Sequence, residues 1–144
     1  MSRSQSAAAA CKEGFSCSQA VFSAFTDLFG LDRQKALKLS QPFGGGIARL
    51  GLTCGAVTGA FLVIGLKYGR TRPEDEEAKE KTYALVHDFI KEFKAHHSSI
   101  VCRELIGVDL NTAEGHQEAV NRGLFDNLCS KYVQDAVEIL ERLL

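Results

Sequence analysis

Apolar residues recur three or four positions apart along most of the chain, which is the spacing of one face of an α-helix. A clear example is the run Ala20, Val21, Ala24, Phe25 and Leu28. No stretch alternates apolar and polar residues for long enough to predict a β-strand. Only two prolines interrupt the chain. The pattern therefore predicts an all-α fold.

Capping residues divide this pattern into successive helices, which the sequence predicts at 7–13, 17–29, 33–41, 54–68, 73–96, 101–106, 113–122 and 127–144. Side chains that can accept a hydrogen bond from a helix start predict N-caps at Ser16, Asp32, Thr53, Thr112 and Asp126. Pro73 is expected in the first turn of its helix, where a missing N–H costs little. No repeat or linker divides the series, so we expect one domain over residues 1–144.

The segment Cys54–Tyr68 is apolar almost all round, which is typical of a helix at the centre of a compact bundle. It nevertheless contains Gly55, Gly59 and Gly65, each of which costs about 1 kcal/mol relative to alanine inside a helix. Such glycines are expected where a neighbouring helix or a bound group approaches the backbone closely. We therefore take Gly55 and Gly59 as candidate cofactor-contacting positions.

Composition narrows the class of protein. The 144 residues are 45% hydrophobic and 24% charged, so the chain can bury a core without disulfide support. A net charge of −1 without basic runs argues against nucleic-acid binding. The longest apolar run, Cys54–Leu66, is shorter than the ~20 residues that a membrane-spanning helix needs. Residues 1–10 lack the apolar stretch of a signal peptide, so we expect a cytoplasmic protein without a membrane span.

Four of the five cysteines, Cys17, Cys54, Cys102 and Cys129, fall in the first turns of predicted helices. Unpaired N–H groups and the positive end of the helix dipole stabilise a thiolate there. We therefore expect the pKa of these thiols to be lowered, which favours disulfide exchange or metal ligation. Cys11 lies near a predicted helix end, gains no such help, and is left outside the predicted site.

The segment Cys54-Gly55-Ala56-Val57-Thr58-Gly59 carries a C-G-A-x-x-G motif, preceded by Cys17 and followed by Cys102 and Cys129. In this order the motif and cysteines resemble a family of redox proteins named C_GCAxxG_C_C, and the likeness extends from about Cys11 to Val137. The resemblance implies a redox role that depends on the four cysteines. It names no substrate, so the redox partner stays unknown.

The residues leave three functions open. Two of the four cysteines could cycle between dithiol and disulfide, with Cys54 as the attacking thiol. The same four thiolates, Cys17, Cys54, Cys102 and Cys129, could instead hold an iron–sulfur cluster or a zinc ion. The third possible function is that of a non-enzymatic helical binding protein, in which the cysteines serve only as packing residues of the core. No C-x-x-C pair is present, so any cluster must be assembled by the fold.

Other features are weaker candidates. His96 and His97 precede Cys102 and could ligate a metal or lower its pKa as a nearby cation, although a histidine pair at a polar helix end is more often solvated. Residues 44–46 are all glycine, which indicates a hinge or close packing rather than a phosphate loop, because the P-loop pattern is absent. The apolar faces are also compatible with a homodimer.

Overall fold

The computed structural model describes residues 1–144, and helices dominate it without any β-strand. We number the α-helices α1 (Arg3–Glu13), α2 (Cys17–Ser23), α3 (Arg33–Ser40), α4 (Gly55–Tyr68), α5 (Glu76–His97), α6 (Cys102–Ile106), α7 (Ala113–Asn121) and α8 (Ser130–Leu143). Short 3-10 turns span Thr26–Phe29 and Gln41–Phe43, and a π-helical turn, Phe125–Cys129, leads directly into α8. The all-α prediction is confirmed, although the predicted helix at 17–29 is broken between α2 and the first 3-10 turn.

Helix α4 is the centre of the bundle, as its apolar sequence predicts. It packs against α2, α5 and α8, and its residues Val57, Val63 and Ile64 are completely buried. These residues belong to one hydrophobic core cluster that also takes in α1 and α8. Burial of that surface is what holds the short surrounding helices in place, because isolated helices of this length are marginal in water.

The longest helix, α5, covers one side of the bundle. Phe89 and Phe93 are fully buried and their rings stack with centroids 5.9 Å apart. The opposite face is polar, with Glu76 and Glu77 in the first turn and Lys94 in the last, which complements the helix dipole. None of the eight helices combines the length and the apolar character that a membrane crossing requires.

Several predicted helix starts are confirmed by hydrogen bonds. The side chains of Ser16, Asp32 and Thr112 each accept from a backbone N–H in the first turn of the helix that follows. The predicted position of Pro73 is wrong, because α5 begins only at Glu76 and its N-cap is Asp75. An acidic side chain that accepts a hydrogen bond fixes that start better than the proline does.

Two other predicted caps are also wrong. Thr53 forms an isolated antiparallel bridge with Val101, and the N-cap position of α4 is taken by Cys54. Asp126 lies inside the π-helical turn Phe125–Cys129, because that turn and α8 form one continuous helix. Cys129 therefore lies inside a continuous helix, where the π-helical turn passes into α8, and not in the first turn of a new helix.

An uncommon left-handed segment spans residues 45–49. The φ angles of Gly45, Gly46, Ile47, Ala48 and Arg49 are 68°, 68°, 69°, 48° and 70°. For the three residues that are not glycine, this conformation costs about 1–2 kcal/mol each. The segment is held by backbone hydrogen bonds to the residues that follow, and such stored strain commonly marks a functional site.

Candidate functional site

One cavity of about 620 Å³ is lined by all five cysteines, each from a different element. Cys11 belongs to α1, Cys17 to α2, Cys54 to the N-cap of α4, Cys102 to α6 and Cys129 to the π-helical turn. All five are free thiols. The sequence therefore predicts four of the residues that the fold brings together, although no local motif could show that they meet.

Cys54 and Cys102 are placed by a short antiparallel contact between two loops. The N–H of Cys54 donates to the carbonyl of Ile100 at 2.7 Å, and the N–H of Cys102 donates to the carbonyl of Leu52 at 2.6 Å. These bonds flank the bridge between residues 53 and 101. Because side chains alternate along such a ladder, Cys54 and Cys102 point to the same side of it. Both side chains line the cavity on that side.

The glycine segment, residues 44–46, packs against the two loops that carry Cys54 and Cys102. A Cβ atom on Gly46 would lie 2.6 Å from the Cβ of Cys102 and 2.7 Å from the N–H nitrogen of Leu52. Gly46 also has a positive φ, so an alanine there would be strained in two ways. The close packing predicted for residues 44–46 is confirmed, and it holds the Cys102 loop against the cavity.

Cys11 and Cys17 approach the same π-helical turn from α1 and α2. The Cys11 Sγ atom lies 3.7 Å from the carbonyl oxygen of Phe125, and the Cys17 Sγ atom lies 4.0 Å from that of Cys129. A π-turn within an α-helix is frequently found at a functional site. The two sulfurs therefore converge on one short stretch of backbone that ends at a third cysteine.

The ionisation of these thiols differs from the sequence prediction. Burial raises the pKa of Cys54 to about 12, although hydrogen bonds from the backbone of Ala56 and Val57 pull it down in part. Burial also raises the pKa of Cys102 to about 11. Hydrogen bonding to the thiols of Cys11 and Cys129, together with burial, raises the pKa of Cys17 well above its ordinary value. The predicted lowering at helix starts is wrong for these three. At Cys54 and Cys102 the loss of hydration has the largest effect, and at Cys17 the interactions with the two neighbouring thiols do.

Cys11, which the sequence leaves outside the predicted site, lines the same cavity as the other four cysteines. A hydrogen bond from Cys17 lowers the pKa of Cys11, against opposing contributions from burial and from the carboxylate of Asp126. The signal that could have identified it is the short spacing between a helix stop at Gly14 and a helix start at Ser16. Because α2 begins only a few residues after α1 ends, the end of α1 with Cys11 lies beside the start of α2 with Cys17.

Gly55 and Gly59 allow α2 to approach α4 closely. A Cβ atom on Gly55 would lie 2.9 Å from the backbone nitrogen of Ser18, and one on Gly59 would lie 2.9 Å from its carbonyl oxygen. Gly65 has nothing within 4 Å of that position. The backbone of α2 therefore accounts for the first two glycines, and the expectation of close approach is wrong for the third.

His96 and His97 do not line the cavity. The Nε2 atom of His97 lies 2.7 Å from a carboxylate oxygen of Asp135 on α8. The His97 ring also packs against Phe93 and Tyr132, with both ring centroids 4.8 Å away. This histidine joins α5 to α8 rather than ligating a metal beside Cys102, so its role follows from packing.

Nowhere in the chain do three or more histidine, cysteine, aspartate or glutamate side chains lie where they could hold a metal ion together. Cysteine thiolates hold zinc at about 2.3 Å in a tetrahedron, which needs all four sulfurs to converge on one point. Cys17, Cys54, Cys102 and Cys129 share a cavity without that convergence. As arranged here, no three of them are placed to hold a single zinc ion.

A comparison with family models matches residues 15–143 to the family described as "Putative redox-active protein (C_GCAxxG_C_C)". The chain belongs to this family. The resemblance stated from the motif is thereby confirmed, and it supports a redox role in general terms. The C_GCAxxG_C_C match includes Cys17, Cys54, Cys102 and Cys129 and begins after Cys11. Comparisons with curated proteins and with solved structures found no match.

Proposed function

We propose that this protein exchanges a dithiol for a disulfide, and that Cys17 and Cys129 are the exchanging pair. The observation that carries the proposal is the contact between these two residues inside the cavity of the family cysteines. The Cys17 Sγ atom lies 4.0 Å from the Cys129 carbonyl oxygen, and interaction with the Cys129 side chain is among the causes that raise the pKa of Cys17. Both side chains also line the same cavity, which is where a disulfide between them would form.

Cys17 is the thiol that an external disulfide reaches first. It is half-buried, whereas Cys54, Cys102 and Cys129 are each less than 9% exposed. The sequence predicts Cys54 as the attacking thiol. The pKa values of Cys54 and Cys17 are both raised, so ionisation does not separate the two thiols and the exposed fraction decides between them. Because Cys54 is only 4% exposed, the proposal assigns the attack to Cys17.

The exchange balances without any further reactant. Cys17, as a thiolate, attacks one sulfur of the external disulfide, and the other sulfur leaves as a thiolate that takes up a proton. Cys129 then attacks Cys17 Sγ in the mixed disulfide and releases the second external thiol. The protein loses two protons and two electrons, and the external disulfide gains both. Cys54 and Cys102 stay neutral thiols throughout, because burial disfavours their charged forms.

The test is a thiol count in defined mixtures of oxidised and reduced glutathione, with the disulfides then mapped by mass spectrometry of the digested protein. The expected result is a reversible loss of two of the five thiols and a linked peptide pair that contains Cys17 and Cys129. In Cys17→Ala that linked pair is absent. The variant Cys54→Ala is the matched control and keeps it, provided that circular dichroism shows both variants folded.

The same purification, carried out without oxygen, includes iron, zinc and sulfide analysis. Stoichiometric metal that is lost equally from Cys17→Ala, Cys54→Ala and Cys129→Ala would contradict the dithiol proposal and favour a metal centre. A metal-free protein whose folded state loses no thiols to the oxidant would contradict both, and the cysteines would then be packing residues only.

A further inference from the structure

Cys17 has two cysteine neighbours, and the proposed pair uses only one of them. Interactions with the side chains of both Cys11 and Cys129 raise the pKa of Cys17. Cys11 lies outside the segment that matches the family, so nothing in the family pattern gives it a role. It nevertheless lines the same cavity as the other four cysteines.

The chain between Cys11 and Cys17 is built to hold these two residues together. Gly14 ends α1 in a left-handed conformation with φ of 118°, and its N–H donates to the Cys11 carbonyl at 3.1 Å. Ser16 then starts α2 with a reciprocal capping box in which Gln19 bonds back to the Ser16 backbone. Both ends of this reversal are fixed by hydrogen bonds, so the position of Cys11 relative to Cys17 is set by local structure.

The sulfur of Cys11 is directed at the element that carries the other partner. Its Sγ atom lies 3.7 Å from the Phe125 carbonyl, at the first residue of the π-helical turn that ends at Cys129. Cys17 contacts the last residue of the same turn. The three thiols thus lie along one turn of backbone, with Cys17 as the shared neighbour.

We propose that Cys11 is a third exchange thiol, which displaces Cys129 from its disulfide with Cys17. The Cys11 sulfur attacks Cys17 Sγ, the Cys11–Cys17 bond forms, the Cys17–Cys129 bond breaks, and the electron pair leaves on Cys129 as a thiolate. The proton that Cys11 gives up is taken by Cys129 through water, so the step changes neither the oxidation state nor the thiol count. This inference rests on the proposed Cys17–Cys129 pair.

The positive charge of Lys12 favours the attacking thiolate. Lys12 neighbours Cys11 in the chain and lowers the pKa of Cys11 whether or not Cys17 is oxidised. The hydrogen bond that Cys17 donates to Cys11 in the reduced protein is lost once Cys17 is in a disulfide, so it does not contribute to this step. The exchange moves the disulfide from a link between α2 and the π-helical turn to a link between α1 and α2.

Since the thiol count does not change, the test must identify the linked residues. Wild-type protein is oxidised with a limiting amount of oxidised glutathione, quenched in acid after increasing times, digested and mapped. We expect the Cys17–Cys129 peptide pair first and the Cys11–Cys17 pair afterwards, with three free thiols in both forms. The variant Cys11→Ser should form only the Cys17–Cys129 pair, and Cys129→Ala should form only the Cys11–Cys17 pair.

Ala10→Ser is the matched control, because it introduces a hydroxyl at the neighbouring buried position of α1 and should retain both linked pairs. The proposal is overturned if wild-type protein accumulates the Cys17–Cys129 pair and never the Cys11–Cys17 pair, a result that needs no variant to fold and leaves the proposed function intact. Absence of both pairs means that the proposed function itself has failed, and the third thiol with it.

Discussion

At the scale of single residues, Cys54 and Cys102 are thiols that the fold keeps neutral. Each sits at a helix start, where backbone N–H groups favour the thiolate, and each is also buried, which disfavours it. Hydrogen bonds from the backbone of Ala56 and Val57 oppose burial at Cys54, and the positive charge of Arg103 opposes it at Cys102. Burial has the larger effect on the pKa of both residues. A helix terminus stabilises charge only through a few dipoles, whereas burial removes the hydration of the whole anion.

This balance predicts how stability depends on pH. An unfolded chain ionises its thiols near 9.0, whereas burial holds the pKa of Cys54 at about 12 in the folded state. From about pH 9 to about pH 12 the unfolded state therefore binds fewer protons than the folded state, and the free energy of unfolding falls as pH rises. Below this window the contribution is fully present. Urea unfolding of reduced protein at a series of pH values measures the slope.

The variant Cys54→Ala isolates this contribution, because the loss of packing that it causes does not depend on pH. Its free energy of unfolding should fall less steeply between about pH 9 and pH 11 than that of the wild type. Equal slopes for the two proteins would mean that the Cys54 thiol ionises as readily in the folded state as in the unfolded one.

At the scale of elements, the contact between α2 and α4 decides where the cysteines lie. Small residues at Gly55 and Gly59 let the backbone of α2 approach α4, and the same approach puts Cys17 beside the start of α4. A Cβ atom on Gly55 would lie 3.3 Å from the Cβ of Cys17. The family motif therefore has a structural component: its glycines position the cysteine of one helix against the cysteine of the next.

A pair of glycine substitutions tests this contact. Gly59→Ala places a Cβ 2.9 Å from the Ser18 carbonyl oxygen, and overpacking of this kind costs about 1–3 kcal/mol. Gly65→Ala on the same helix meets nothing within 4 Å, so its higher helix propensity should stabilise the protein by up to about 1 kcal/mol. Urea unfolding should thus give changes of opposite sign. Stabilisation by both substitutions would show that α2 does not press on Gly59.

At the scale of the whole molecule, the proposed disulfide joins parts of the chain that are far apart in sequence. Cys17 and Cys129 are separated by 112 positions. Oxidation would link α2 to the π-helical turn that begins the last helical stretch. Those two elements enclose the core from opposite ends of the sequence, so the bond constrains most of the unfolded chain.

Oxidation should therefore stabilise the fold. Closing a loop of about 100 residues stabilises by up to about 4.7 kcal/mol in the chain-entropy model, reduced by any strain in the native bond. Oxidised Cys11→Ser, which has no alternative partner for Cys17, should unfold at a higher urea concentration than the same variant when reduced. Cys129→Ala should gain much less, because only the short Cys11–Cys17 loop can close. Equal midpoints for oxidised and reduced Cys11→Ser would show that no long-range disulfide forms.

The sequence by itself determined the helical class, the apolar helix α4, the family and four of the five cysteines in the cavity. These depend on local periodicity, on capping residues and on a motif, all of which are written along the chain. Ser16, Asp32 and Thr112 could be identified as caps for the same reason, since a cap bonds to backbone only three residues away.

Only the tertiary structure decided what depends on distant neighbours. Burial reversed the predicted direction of the pKa shift at Cys54 and Cys102, and interactions with the thiols of Cys11 and Cys129 did so at Cys17; no local pattern reports either effect. The pairing of His97 with Asp135 joins two helices that are distant in sequence. Cys11 entered the site because α1 and α2 both pack against the end of the chain, where Phe125 and Cys129 meet their sulfurs. A thiol's reactivity is set by the groups and the solvent around it, and those are assembled only when the chain has folded.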